Sequence, residues 1–200
     1  MPTKIATGSA DGTACVWSLL TGEKLLGPLK HNYWVVAAKF SPDGCLIATA
    51  TWAHDSVRVY DSQNASLLVE FPVKVNSALN QFLAWASDGK RLFALSHDGY
   101  IHLDVSAKTM LSEWLTHNTN NPTCIALASN GTFIATSAAS SVSLWDTTTH
   151  GQIGTVMEYT HSIRTMAISS NYDLVTSGDT KITFWGLCGF LPSHYVSGPA

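Results

Sequence analysis

Charge is scarce in this 200-residue chain. Asp, Glu, Lys and Arg together make up 12% of it, about half the usual share. Ser, Thr, Asn and His must therefore cover much of the surface, giving a weakly charged, hydrogen-bonding exterior. The formal net charge is −3 and no run of Lys or Arg occurs. Binding a phosphate backbone needs local positive charge, so nucleic acid is not an expected partner. The stretch from Trp114 to Trp145 carries no charge at all, but it is full of Asn, Ser, Thr, Gly and Pro and cannot be a membrane helix. No segment of a dozen residues holds a helical period. The four cysteines, Cys15, Cys45, Cys124 and Cys188, form no CxxC pair, which argues against zinc and disulfide frameworks. Cys15, Cys45 and Cys124 lie in or beside apolar strands and are expected to be small buried hydrophobes in a reducing compartment. The eight histidines are scattered without metal-ligand spacing, so no metal or other cofactor is expected. Met1-Pro2-Thr3-Lys4 runs directly into a strand pattern, so no secretory leader is expected either.

What the chain does have is a repeat. Ala14-Cys15-Val16-Trp17, Val57-Arg58-Val59-Tyr60, Val142-Ser143-Leu144-Trp145 and Ile182-Thr183-Phe184-Trp185 each read as a strand closing on an aromatic residue. Ile101-His102-Leu103-Asp104 keeps the strand with Asp at the aromatic position. From Trp17 the steps are 43, 44, 41 and 40 residues. A period of about 40–45 residues marks a β-propeller of four-stranded blades, in which each unit buries its apolar faces only against its neighbours.

Short β-rich runs punctuated by Asp-Gly or Asn-Gly give the strands. The second unit is the clearest: a strand over 34–40, the turn Ser41-Pro42-Asp43-Gly44, then strands over 45–51, 57–60 and 66–71. The units run over about 1–30, 31–75, 76–116, 117–158 and 159–187. The first lacks its opening strand and the fifth a clear closing one, so the all-β array has about 4.5–5 blades. Residues 188–200 are expected to be a tail, with an outer strand over 190–196 as the alternative.

The pattern resembles the WD-repeat (WD40) β-propeller family. The residues that carry the likeness are His31-Asn32-Tyr33-Trp34-Val35 and Phe40-Ser41-Pro42-Asp43-Gly44 in the second unit, Ile5-Ala6-Thr7-Gly8-Ser9-Ala10-Asp11-Gly12-Thr13 in the first, and the literal pair Trp145-Asp146 in the fourth. It covers roughly residues 4–187. Blades of that family often hold a buried relay of His, Ser or Thr, Asp and Trp, because each buried polar group needs a partner. The resemblance implies Thr7, Asp11 and Trp17 in the first unit. In the second it implies His31, Thr49 or Thr51, and Asp55, with Tyr60 replacing Trp. Asp98 remains in the third, Trp145 in the fourth, and Asp179 and Trp185 in the fifth, with Tyr159 or His161 before its first strand. No unit keeps the whole set.

Catalysis finds little support. His31, Asp55 and Ser56 could be read as a triad, but triads are defined by geometry, and the relay accounts for the His and the Asp. His97-Asp98 reads as a hairpin turn. No convergent carboxylate pair or arginine cluster stands out, as sugar cleavage would need. Asn64-Ala65-Ser66 and Asn130-Gly131-Thr132 match a glycosylation sequon, yet Asn130-Gly131 reads better as a turn. Tyr33, Trp34 and Trp52 lie near blade-edge loops, where they either pack between blades or form a contact surface for a partner. The resemblance implies a non-catalytic intracellular platform, cytoplasmic or nuclear, that binds proteins or peptides. A propeller lectin or small-ligand binder is the alternative. An open array is also expected to be a fragment of a longer propeller and to self-associate through its edges.

Overall fold

In the computed structural model, residues 3–52, 56–73, 83–96, 99–115, 123–178 and 180–196 are described. They form five antiparallel sheets. The first contains β1 (Lys4–Gly8), β2 (Thr13–Ser18) and β3 (Lys24–Lys30). The second contains β4 (Val35–Phe40), β5 (Leu46–Thr51), β6 (Val57–Asp61) and β7 (Leu67–Phe71). The third contains β8 (Leu83–Trp85), β9 (Arg91–Leu95), β10 (Gly99–Asp104) and β11 (Thr109–Leu115). The fourth contains β12 (Cys124–Leu127), β13 (Phe133–Ala138), β14 (Ser141–Asp146) and β15 (Gln152–Glu158). The fifth contains β16 (Thr165–Ile168), β17 (Asp173–Gly178) and β18 (Lys181–Gly186). Spatial order equals chain order in every sheet. Each sheet is therefore a meander that local turns can build.

Those turns are held by short polar side chains that occupy their own backbone. Asp43 Oδ1 accepts from the Cys45 N–H at 3.0 Å, Asp88 Oδ1 from Lys90 at 2.8 Å, and Asn130 Oδ1 from Thr132 at 3.2 Å. Gly44, Gly89 and Gly131 follow these residues with φ of +74°, +64° and +72°, a region where a side chain is strained.

The period-2 alternation of the strands then stacks the sheets face to face. Ala48 and Ala50 face the third sheet with Val57 and Val59, against Leu83, Leu92, Ala94 and Ile101. The alternate residues Phe93 and Leu95 face the fourth sheet, meeting Ile125, Ile134 and Trp145. Phe133, Ala135 and Leu144 face the fifth, against Met166 and Leu174. The seam between the first two sheets is the smallest, formed by Ala14, Leu29, Val35 and Tyr60. Inner strands converge on one cavity lined by Lys39 of β4, Trp85 of β8, Ala126 of β12 and Ala167 of β16. The result is a partial propeller of five wedges with no closed barrel.

The C-terminal segment corrects one expectation. No strand forms over 190–196; a 3-10 turn (Leu187–Gly189) and a short helix, α1 (Ser193–Val196), stand there instead. Leu187, Leu191 and Tyr195 are all buried in the core between the fourth and fifth sheets. Leu187 sits in the 3-10 turn, Tyr195 in α1, and Leu191 in the bend between them. Asn130 Nδ2 donates to the Tyr195 carbonyl at 2.8 Å, and the Tyr195 hydroxyl donates to Asp146 Oδ2 at 2.7 Å.

Candidate functional site

Some of the residues expected to form relays, Thr7, Trp17, Thr49, Trp145 and Trp185, stand at or beside one recurring rung. β1 and β2 of the first sheet, and the second and third strands of the other four, pair so that the residue two before the aromatic position faces the rung position: Thr7 opposite Cys15, Thr49 opposite Arg58, Phe93 opposite His102, Thr136 opposite Ser143 and Thr176 opposite Thr183. The indole N–H of Trp17 donates to Thr7 Oγ1 at 2.8 Å, that of Trp145 to Thr136 Oγ1 at 2.8 Å, and that of Trp185 to Thr176 Oγ1 at 3.4 Å. Thr136 and Thr176 were not among the expected residues. Both stand nine positions before their Trp, and Thr7 stands ten before Trp17, so this spacing would have found them.

The second blade uses Tyr60 and His31. His31 Nε2 lies 3.3 Å from Thr49 Oγ1 and 3.5 Å from the Tyr60 hydroxyl. Of the two candidates Thr49 and Thr51, Thr49 is the one at the relay. Arg58 Nη1 approaches His31 Nδ1 at 3.3 Å and donates to the Lys30 carbonyl at 3.2 Å. A guanidinium can only donate, so Nδ1 accepts and the ring proton sits on Nε2. Arg58 also pairs with Glu70 at 2.9 Å. The Ser56 hydroxyl first, and then Arg58, hold the Glu70 carboxyl below the usual carboxylate range.

The third blade replaces the rung with an apolar stack. The Phe93 and His102 rings lie 4.6 Å apart and nearly parallel, and burial pushes the His102 ring down to about 4. In the fifth blade the Tyr159 hydroxyl sits 2.6 Å from Thr183 Oγ1, where His161 was the other candidate.

Asp11 departs from the relay. Its Oδ1 accepts from the Thr13 N–H and hydroxyl, at 2.9 and 2.7 Å, so it caps its own exposed hairpin. Asp55, Asp98 and Asp179 lie outside the described residues, as does His97. Among the cysteines Cys124 is buried, Cys15 half-buried, and Cys45 and Cys188 exposed. Cys45 therefore differs from expectation, because its neighbour Asp43 fixes it in a surface turn rather than in β5.

Trp34 and Trp52 form one aromatic corner, with Tyr33 preceding Trp34 in the chain. Trp34 precedes β4 and Trp52 follows β5, and the Trp52 N–H donates to the Trp34 carbonyl at 2.9 Å. The indoles stack at 5.0 Å with 14° between planes. They remain 52% and 39% exposed, and Tyr33 44%, so packing between blades does not consume them. Among the described residues no three His, Cys, Asp or Glu side chains are grouped to hold a metal ion, and no helix is long and apolar enough to cross a membrane.

Five meander sheets, three of them carrying a Trp–Thr rung, define a repeat array of the propeller class. The family model described as "WD domain, G-beta repeat" matches residues 2–18, 23–61 and 108–146; the chain carries WD40 repeats. The matched segments leave out 62–107, which holds the Phe93–His102 stack. The chain is 31% identical over 103 residues to the small ribosomal subunit protein RACK1y of Oryza sativa subsp. japonica, covering 49% of this chain and 30% of that protein. It is 30% identical over 115 residues to actin-interacting protein 1 of Drosophila melanogaster, covering 57% and 19%. A third relative, pre-mRNA-processing factor 19 homolog 2 of Arabidopsis thaliana, is 24% identical over 188 residues, covering 92% and 36%. These matches therefore span 19–36% of the relatives' lengths.

Proposed function

We propose that this chain is a non-catalytic protein-interaction scaffold whose contact site is the corner of Trp34 and Trp52 together with Tyr33. The observation that carries this reading is the exposed, stacked indole pair on a rigid strand pair. Rigid aromatic anchors with little entropy left to lose are the residues that dominate protein interfaces. The relatives support the class, since one is by its name an actin-interacting protein. The ligand is a protein or peptide rather than nucleic acid, since net charge is −3 without basic clusters. The setting is intracellular, cytoplasmic or nuclear. The modules of the scaffold are the units 1–30, 31–75, 76–116, 117–158 and 159–187.

The array is part of a larger propeller. Ile182 and Phe184 on β18 are 65% and 73% exposed, an apolar face of the kind each inner blade buries. Left uncovered, that face favours self-association.

The test is affinity capture from lysate with the wild-type chain and with Trp34→Ala/Trp52→Ala, both verified as folded by circular dichroism. Each truncation of a central anchor costs about 2 kcal/mol or more, so specific partners should drop at least tenfold. Equal recovery of the same proteins by both baits would remove the corner from the interface.

A further inference from the structure

We infer that the cavity on which the inner strands converge is a binding site for a small organic monocarboxylate, with the Lys39 ammonium as its anion-binding group and the surrounding apolar side chains holding a single planar ring. This goes beyond the scaffold function and uses none of the residues of the aromatic corner.

The cavity is built from the middle of the array. β4, β8, β12 and β16, the inner strands of four successive sheets, all line it. Lys39, Trp85, Ala126 and Ala167 hold the same place in the register, one residue after the partner of Thr49, Phe93, Thr136 and Thr176. Three of the four are apolar and one is a cation. Every other side chain lining the cavity is apolar too, among them Ile125, Leu127, Met166 and Ile168.

Nothing in the described fold neutralises that cation. Among the described residues the ion pairs are Arg58 with Glu70 and Arg91 with Asp88, and Lys39 takes part in neither. Burial pushes its ammonium below the usual lysine range, and no neighbouring charge contributes to the shift. The side chain is nevertheless accessible, because the space it meets is the cavity and not open solvent. A cation in apolar surroundings is costly until an opposite charge joins it, and the attraction is weakly screened there.

Size and walls restrict the anion. A volume of about 240 Å³ falls below the roughly 300–1,000 Å³ of pockets that take drug-sized ligands, so the occupant is one ring and not a peptide or a nucleotide. The Trp85 indole N–H donates to the Lys39 carbonyl at 3.3 Å. That bond ties an aromatic wall to the strand that carries the ammonium. The remaining polar groups belong to the backbone. Each of the four strands lies at the end of its sheet, so alternate N–H groups stay free to donate to a second carboxylate oxygen. With a single cation in the cavity, a dianion such as phosphate would keep one charge unpaired, which favours a monocarboxylate.

The test titrates sodium benzoate into the whole chain with its methionine methyls carbon-13 labelled, followed by NMR. The Met166 methyl, assigned through Met166→Leu, should shift and saturate, while that of Met110, 52% exposed on β11, stays in place. The neutral isostere benzamide should bind at least about tenfold more weakly, and so should benzoate to Lys39→Met, because each change removes a charge-assisted hydrogen bond. Trp34→Ala/Trp52→Ala should leave the titration unchanged, so its result is independent of the corner. The inference fails if tens of millimolar benzoate leave Met166 unmoved, if benzamide binds as well as benzoate, or if Lys39→Met binds benzoate as the wild type does. The benzamide comparison uses the wild-type chain and decides the matter even where Lys39→Met does not fold.

Discussion

Acidification from pH 7 to 4 should destabilise the third blade through His102. Its ring is 6% exposed, stacked on Phe93, and pushed from 6.5 down to about 4. Burial is the main cause, followed by the charges of Arg91 and His150; Asp104 and Asp88 oppose it. In the unfolded chain the ring titrates near its ordinary value, so between pH 6.5 and 4 the unfolded state binds more protons and stability falls with pH. The contribution is fully present above pH 6.5 and is lost as the pH drops through 4. A gap of about 2.5 pH units at about 1.4 kcal/mol each limits the loss to about 3 kcal/mol, of which about 2 kcal/mol is gone by pH 5. That is a large part of the 5–15 kcal/mol typical of a domain. Carboxylates held below their usual range, such as Asp43 and Asp104, also lose stability in acid, so the measurement must be a difference. Urea unfolding followed by tryptophan fluorescence, for the wild type and His102→Phe from pH 7.5 to 4, isolates the ring. The variant should gain about 2–3 kcal/mol relative to wild type across that range. A difference that stays constant within about 0.5 kcal/mol would refute the placement of a neutral, buried imidazole at this position.

Three further outcomes follow from the packing. Trp145→Phe and Thr136→Val each break a buried 2.8 Å bond; a double-mutant cycle in urea should return a coupling of about 1 kcal/mol or more. Tyr195→Phe removes the hydroxyl on Asp146 and should speed proteolytic cleavage after Tyr172 while leaving the first two blades intact, read by mass spectrometry of limited digests. Gly178→Ala would drive a Cβ into the Ser162 carbonyl, and its thermal midpoint should fall by several degrees, corresponding to about 1–3 kcal/mol.

The strands were legible because local chemistry writes them. Alternating apolar residues set each span, and Asp43-Gly44, Asp88-Gly89 and Asn130-Gly131 fold each hairpin onto its neighbour. Trp17, Trp145 and Trp185 marked the period, and with it the blades and the likeness to WD40 repeats. Their hydroxyl partners Thr136 and Thr176 escaped notice, since a Thr in a β-run looks like any other until the register places it beside an indole. Asp11 and Cys45 were misplaced for a related reason, because a polar residue near a strand end can serve the turn or the core. The C-terminal segment went unread as well: Leu187, Leu191 and Tyr195 find their places only against Phe133 and Leu174.

The sequence by itself therefore determined the number, length and order of the strands and the propeller class, since these depend on turns and alternation within about ten residues. Tertiary structure alone decided which face meets which sheet and that Trp34 and Trp52 stack in the open. Those outcomes depend on contacts between residues more than 15 positions apart, whose geometry exists only once neighbouring sheets have packed.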